Sequence, residues 1–346
     1  MNRVIDRASQ FIDSARVASE LGRQSTDNID ERFMSIAERA TAGNDSFFTC
    51  IGRSALTSEV RPDSINHHLT FLQPNAFSDE ETVATLGLVN LMLGQDTTTR
   101  LTEVTHSYFV KHGIFERIQA TKTKQGEKVV IPSNHLQLPD QGFTVGLIQN
   151  AAREEGIDRI DAHLTAVLGR LIGYYQLGDK NVVDDILRKA CSVLKTFTAG
   201  GTEALTEDEK DLSIYRKISN HRTKQAFKEL LSEVQGRIVC MAPSGEQDSY
   251  DPELDAVVMG KYGSSTSELL IDASQSGALI VPLFADYGSD ASIASYLDPI
   301  EPGEIKKRDD CDAIGDLIAA EGNRARAIAG ITSPDIKRFG QKVIYL

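Results

Sequence analysis

Three short apolar runs constrain this chain most: EKVVIP at 127–132, GRIVCMAPSG at 236–245 and ALIVPLFADYG at 278–288. Each is continuously apolar at its centre and does not alternate. A strand of this kind is buried on both faces, as in a parallel sheet covered by helices. The intervening segments have helical spacing. GFTVGLIQNAAREEG (142–156) stops at a glycine, a common helix C-terminus. RTKQAFKELLSEV (222–234) puts Phe227, Leu230, Leu231 and Val234 on one face, and STSELLIDASQSG (265–277) precedes the third run. Residues 98–120 also read as helix, and 160–176 as an apolar strand-like start followed by helix. Strands alternating with helices predict an α/β fold with a mainly parallel central sheet flanked by helices.

The first part of the chain reads differently. Val4, Phe11, Ile12, Ala15 and Ala18 recur at helical spacing within 3–22, as do Ile29, Phe33, Ile36 and Ala37 within 28–42. Thr26, Asp27 and Asn28 offer an N-cap to the second helix. Residues 43–78, rich in Asn, Asp, Ser and Pro, read as irregular. Ser78-Asp79-Glu80-Glu81 then begins a helix with carboxylates in its first turn, where the helix dipole favours them. The expected division is a small helical N-terminal domain over 1–78 and an α/β domain over 79–346. A length of 346 residues suits one large domain or two unequal ones.

Bulk properties exclude several classes. A net charge of -13 opposes non-specific binding to nucleic acid or an anionic membrane. The longest apolar run, GALIVPLFA (277–285), falls far short of the roughly 20 residues that cross a bilayer. That leaves room for peripheral docking on a membrane through an apolar surface, but not for an integral segment. The start, MNRVIDRASQFIDSA, carries Asp6 and Asp13 and has no apolar core of a signal peptide. Cys50, Cys191, Cys240 and Cys311 are widely spaced, without a CxxC pair, and read as reduced thiols and not as a disulfide frame or zinc site. A soluble cytoplasmic protein that binds no metal is expected.

The chemistry concentrates after the first run, in Ser133-Asn134-His135 and Asp140. Asn-His occurs three times, at 66–67, 134–135 and 220–221, but only the middle copy has an aspartate five residues beyond the histidine. In a parallel sheet, functional loops gather at the C-terminal ends of the strands, where this one falls. A turn over the four intervening residues brings the carboxylate to the imidazole. A carboxylate there fixes the tautomer, orients the ring and stabilises the imidazolium, leaving the other nitrogen as a base for a substrate hydroxyl. The structural alternative stays open: Asp is a routine N-cap and His is common in loops. A second segment, Ala242-Pro243-Ser244-Gly245, forms a tight turn after the second run, with backbone amides suited to an anion or oxyanion. In the third, Pro282 interrupts Leu279–Phe284, which predicts an edge strand or a bulge.

Taken in order, Asn134-His135…Asp140, Ala242-Pro243-Ser244-Gly245 and Val281-Pro282-Leu283 resemble the motif series of the glycerol-phosphate/lysophospholipid acyltransferase superfamily. The stretch from Arg216 to Asp248 is similar to its soluble plastid-type glycerol-3-phosphate acyltransferase branch. The resemblance covers roughly residues 95–305. It implies acyl transfer from a thioester, on acyl carrier protein or coenzyme A, to a hydroxyl of glycerol 3-phosphate. His135 would be the base and Asp140 its orienter, and the thioester is a co-substrate, so no cofactor is required. The acceptor site implied comprises Asn134, Pro243, Ser244, Gly245 and Gln247, with Arg222, Lys224 and Lys195 as candidate cations.

The sequence departs from that family where the acceptor phosphate should bind. The plastid-type pattern has two arginines flanking the aspartate, whereas here the stretch reads Gly245-Glu246-Gln247-Asp248-Ser249. Glutamine cannot replace the bidentate, charged fork of arginine. Lys195 is the nearest candidate for the branch's upstream Lys-His pair. Arg222, Lys224 or Lys261 would have to hold the phosphate; otherwise the acceptor is another, non-phosphorylated molecule, or the protein binds acyl groups or partners without catalysis. Lys122, Lys124 and Lys128 offer a cationic approach to an acidic carrier protein, or a solvated loop. His67, His68 and His221 lack a carboxylate at the required spacing, and His163, in an apolar stretch, reads as a packed histidine.

Overall fold

The structure, a computed structural model, describes residues 71–72, 93–119, 123–136, 140–157, 160–169, 191–196, 224, 226–244, 248–287, 291–331 and 334–338. The helices expected over 3–22 and 28–42, and the helix start at 78–81, lie outside them. The chain divides into two compact units. The smaller comprises 1–73, 169–185 and 194–226. Its described parts include the strand Phe71–Leu72 and the end of the strand Ser192–Thr196. The larger comprises 74–168, 186–193 and 227–346 and carries everything below.

Among the described residues, the larger unit carries α1 (Gln95–Lys111) and α2 (Ile114–Ile118). The sequence reading made these one helix. The break falls at Gly113, whose left-handed φ of 60° lets the chain turn before α2. Then follow β1 (Lys128–Pro132), α3 (Asp140–Glu154), a 3-10 turn (Ile160–His163) and β2 (Leu164–Gly169). Here the turn precedes the strand, and 170–176 lie outside the described residues. After a helical stretch over 226–232 come β3 (Arg237–Met241), β4 (Ser249–Asp251), β5 (Ala256–Met259) and α4 (Ser264–Gln275). The chain then forms β6 (Leu279–Ile280), β7 (Leu283–Asp286), β8 (Ile293–Tyr296), α5 (Arg308–Ile328) and β9 (Asp335–Arg338).

Four strands of this unit form a parallel sheet in the order β2-β3-β1-β6. Val129 lies beside Ile238 on one side and Leu279 on the other, and Leu164 faces Ile238. Every residue of β1 and β3 is buried, which explains their unbroken apolar pattern. Each Val or Ile so covered contributes about 1.5–3 kcal/mol. Helices flank the sheet: α3 packs on β3 and on α1, and α2 packs on β1. The unit is an α/β fold with a parallel sheet and flanking helices.

The third apolar run is split as its proline requires. Val281 donates its N–H to Val130 O at 2.8 Å, continuing the pairing of β6. Pro282 cannot donate, and the strand resumes as β7, which pairs antiparallel with β8. The C-terminal elements, on which the sequence reading is silent, cover this hairpin. Helix α5 packs on β7, β8 and β9, and β9 joins β5 and β4 in a second small sheet.

Candidate active site

The site is built where β1 ends. Ser133 donates its N–H to Met241 O at 2.9 Å, so the pairing of β1 with β3 runs one residue past Pro132. Gln141 Nε2 on α3 donates to Ser133 Oγ at 3.0 Å. Asn134 is buried and clamped to β7: its Nδ2 donates to Ala285 O and its Oδ1 accepts from Ala285 N–H, both at 2.7 Å. Both ends of the amide face the backbone of one residue, as a neighbouring strand would. Asn134, read from the sequence as a substrate contact, holds the motif loop against β7.

His135 follows, 6% exposed. Its Nδ1 lies 3.6 Å from Asp140 Oδ2. Asp140 is the first residue of α3, where the helix dipole favours a carboxylate, and it is 1% exposed. The two groups thus come together as the spacing predicts. The separation is one of an ion pair, longer than a hydrogen bond, and Nδ1 makes no hydrogen bond. Catalytic hydrogen bonds are often this long without substrate and tighten when it binds.

The sequence reading missed a third group. His135 donates its backbone N–H to Asp248 Oδ2 at 2.7 Å, and Asp248 returns its own N–H to His135 O at 2.6 Å. Gly260 N–H also donates to the Asp248 carboxylate. Burial pushes the Asp248 pKa up to about 6, with Asp140 adding to the rise, against the two backbone N–H bonds and the His135 charge. The sequence contained one signal: an aspartate shortly after a buried strand and tight turn. Its partner stands 113 residues away, and no local pattern predicts that.

The remaining sequence-assigned positions divide. Pro243 is buried and Ser244 half-buried, in the turn after β3; a Cβ on Gly260 would touch the Ser244 side chain at 3.3 Å. The turn, Asp248 and the chain at Gly260 therefore lie together. Lys261 follows Gly260 and is half-buried. Gly245, Gln247 and Arg222 lie outside the described residues, as do His67, His68, His221 and Lys122. Lys195 and Lys224 belong to the smaller unit. Lys128 is not part of a cationic surface. It is buried, and its Nζ donates to the carbonyl oxygens of Gly126, Glu233 and Gln235 at 3.2, 2.5 and 2.7 Å. Lys124 pairs with Glu127 at 2.9 Å. His163 places Nδ1 2.8 Å from Gly236 O.

Among the described residues, no group of three or more His, Cys, Asp or Glu is arranged to hold a metal ion. Nor, among them, is any helix long and apolar enough to cross a membrane. Compared with known proteins, the chain matches no family model and no curated sequence.

Proposed function

We propose that this chain is an acyltransferase that moves a fatty acyl group from a thioester, on acyl carrier protein or coenzyme A, to the hydroxyl of a small acceptor. The observation that carries this reading is the buried His135–Asp140 pair, 3.6 Å apart, at the C-terminal end of an inner strand of a parallel sheet. His135 takes the proton of the acceptor hydroxyl as the oxygen attacks the thioester carbonyl. Asp140 orients the ring and stabilises the imidazolium. The thiolate then leaves as the tetrahedral intermediate collapses. The Ser244 backbone amide, in the turn after β3, is suited to the developing oxyanion. The motif series of the sequence supports glycerol 3-phosphate as acceptor.

A second reading keeps the chemistry and changes the acceptor to a molecule without phosphate. Asp248 favours it, because a second buried carboxylate beside His135 opposes a dianionic phosphate nearby. A radiolabelled acyl carrier protein or acyl-CoA, offered with glycerol 3-phosphate and a panel of alcohols and amines, tests both. Transfer to glycerol 3-phosphate that disappears in His135→Ala supports the first. Transfer only to an uncharged acceptor supports the second, and release of free fatty acid without an acceptor reveals hydrolysis. No turnover of any donor by the folded protein removes both readings and leaves a non-catalytic acyl- or partner-binding protein.

A further inference from the structure

The two loops that leave neighbouring strands β1 and β3 are tied together through one residue. Asp248 grips His135 on both sides of its α-carbon, accepting from its N–H at 2.7 Å and donating to its carbonyl at 2.6 Å. This sets where the His135 backbone stands, and hence where its ring meets Asp140. The Asp248 carboxylate faces two N–H donors, from His135 and Gly260. An ionised carboxylate only accepts hydrogen bonds and matches two donors; a carboxylic acid turns an O–H towards one of them. The titratable groups facing Asp248 are His135 on the motif loop, Asp140 on α3, and Tyr262 on the chain leading into α4. Asp140 and Asp248 are thus two buried carboxylates beside one histidine.

We propose that Asp248 is the positioning residue of the His135 base: its ionised carboxylate locks the backbone of His135 in the working pose, and its protonation releases that lock. This rests on the reading of His135 as a general base. The ionised carboxylate also favours the imidazolium that forms when the base takes a proton. Loss of activity in acid therefore has two causes, the imidazole and Asp248. The raised pKa of Asp248, about 6, brings the second into the range where imidazoles change charge.

The test combines an NMR titration with kinetics on the full chain. In 15N-labelled wild-type protein, taken from about pH 8.5 to about pH 4.5 across the carboxylate and imidazole range, the His135 backbone amide proton should shift with a midpoint near 6 as its charged acceptor is lost. The Gly260 amide, the carboxylate's other donor, should shift with the same midpoint, and in Asp248→Asn, which keeps shape and one acceptor oxygen, this shared step should vanish. With the acyl donor, the variant should lose about 10- to 100-fold in kcat, as small misplacements of reacting groups do, with KM within about threefold. Its acid limb should fall from a slope of about two to about one. A His135 amide that ignores pH in the wild type, or an Asp248→Asn enzyme with unchanged kcat and acid limb, overturns the proposal. If the wild type transfers no acyl group, the base reading fails, and the catalytic half of this proposal with it. The wild-type amide titration still decides the lock, and needs no variant to fold.

Discussion

The two ends of the parallel sheet handle buried charge in opposite ways. At the N-terminal end, Lys128 gives its protons to three backbone carbonyls, and Arg237 binds the Glu233 carboxylate through Nε and Nη2, each at 2.7 Å. His163, just before β2, meets the carbonyl of Gly236. At the C-terminal end, His135 faces Asp140 across 3.6 Å, and its backbone is held by Asp248. At the first end these three side chains all meet backbone carbonyls or a carboxylate at hydrogen-bond distance. The second leaves an imidazole nitrogen without a hydrogen bond, 3.6 Å from a buried carboxylate. Two histidines at opposite ends of one sheet therefore differ in the partner each meets: a fixed backbone dipole or a carboxylate.

Removing His135 should break the comparison most visibly. His135→Ala should lower acyl transfer by about 100- to 10000-fold, the usual contribution of a general base, with the thermal transition little changed. Measured rates that stay at the wild-type level would put both ends of the sheet in the same structural class. The next largest effect belongs to the N-terminal end. A Cβ at Gly236 would overlap the backbone carbonyl of Ile118, where β1, β3 and α2 converge. Gly236→Ala should therefore cost about 3 kcal/mol in denaturant unfolding. Lys128→Met should cost about 1–3 kcal/mol, since it removes the ammonium that three backbone carbonyls share, and kcat should be unchanged in what still folds.

The pH dependence sharpens the contrast further. The Asp248 pKa is raised, the reverse of the usual carboxylate case. Above about pH 6 the folded protein carries a charge that burial disfavours. As pH falls towards the ordinary carboxylate range, the folded state takes up a proton before the unfolded state does, and this group's penalty on folding shrinks. Asp248→Asn should therefore stabilise the protein more at pH 8 than at pH 5, by a difference on the order of 1 kcal/mol. Paired unfolding curves at the two pH values measure it, and equal shifts would refute it. The smallest effect is expected for His163→Gln, which loses one half-exposed contact to Gly236 O: within about 1 kcal/mol in stability and no change in acyl transfer.

Much of the C-terminal end was legible in the sequence, and less of the N-terminal end. The buried strands β1 and β3 announce themselves because both faces are covered, and the His135–Asp140 pair because only five positions separate the two residues. Lys128 misled: beside Lys122 and Lys124 it looks like solvated charge, and only the fold reveals carbonyls from 105 and 107 residues away around its ammonium. Asp248 was read for the arginines it lacks beside it, not for the backbone it holds. The break at Gly113 was hidden because the apolar spacing of α1 runs on into α2. Each miss depends on contacts between distant parts of the chain, and local periodicity carries no information about them.

The bond between Asn134 and Ala285 also sets an order in time. The two residues are 151 positions apart, so a ribosome adding about 5–20 residues per second needs roughly 8 to 30 s to pass from one to the other. Throughout that interval, the loop bearing His135 has left the tunnel without the strand that steadies it. Its buried asparagine amide must be satisfied by water or by a chaperone's surface until β7 emerges. The histidine thus reaches its place late in the life of the nascent chain, well after the strand that carries it has been made.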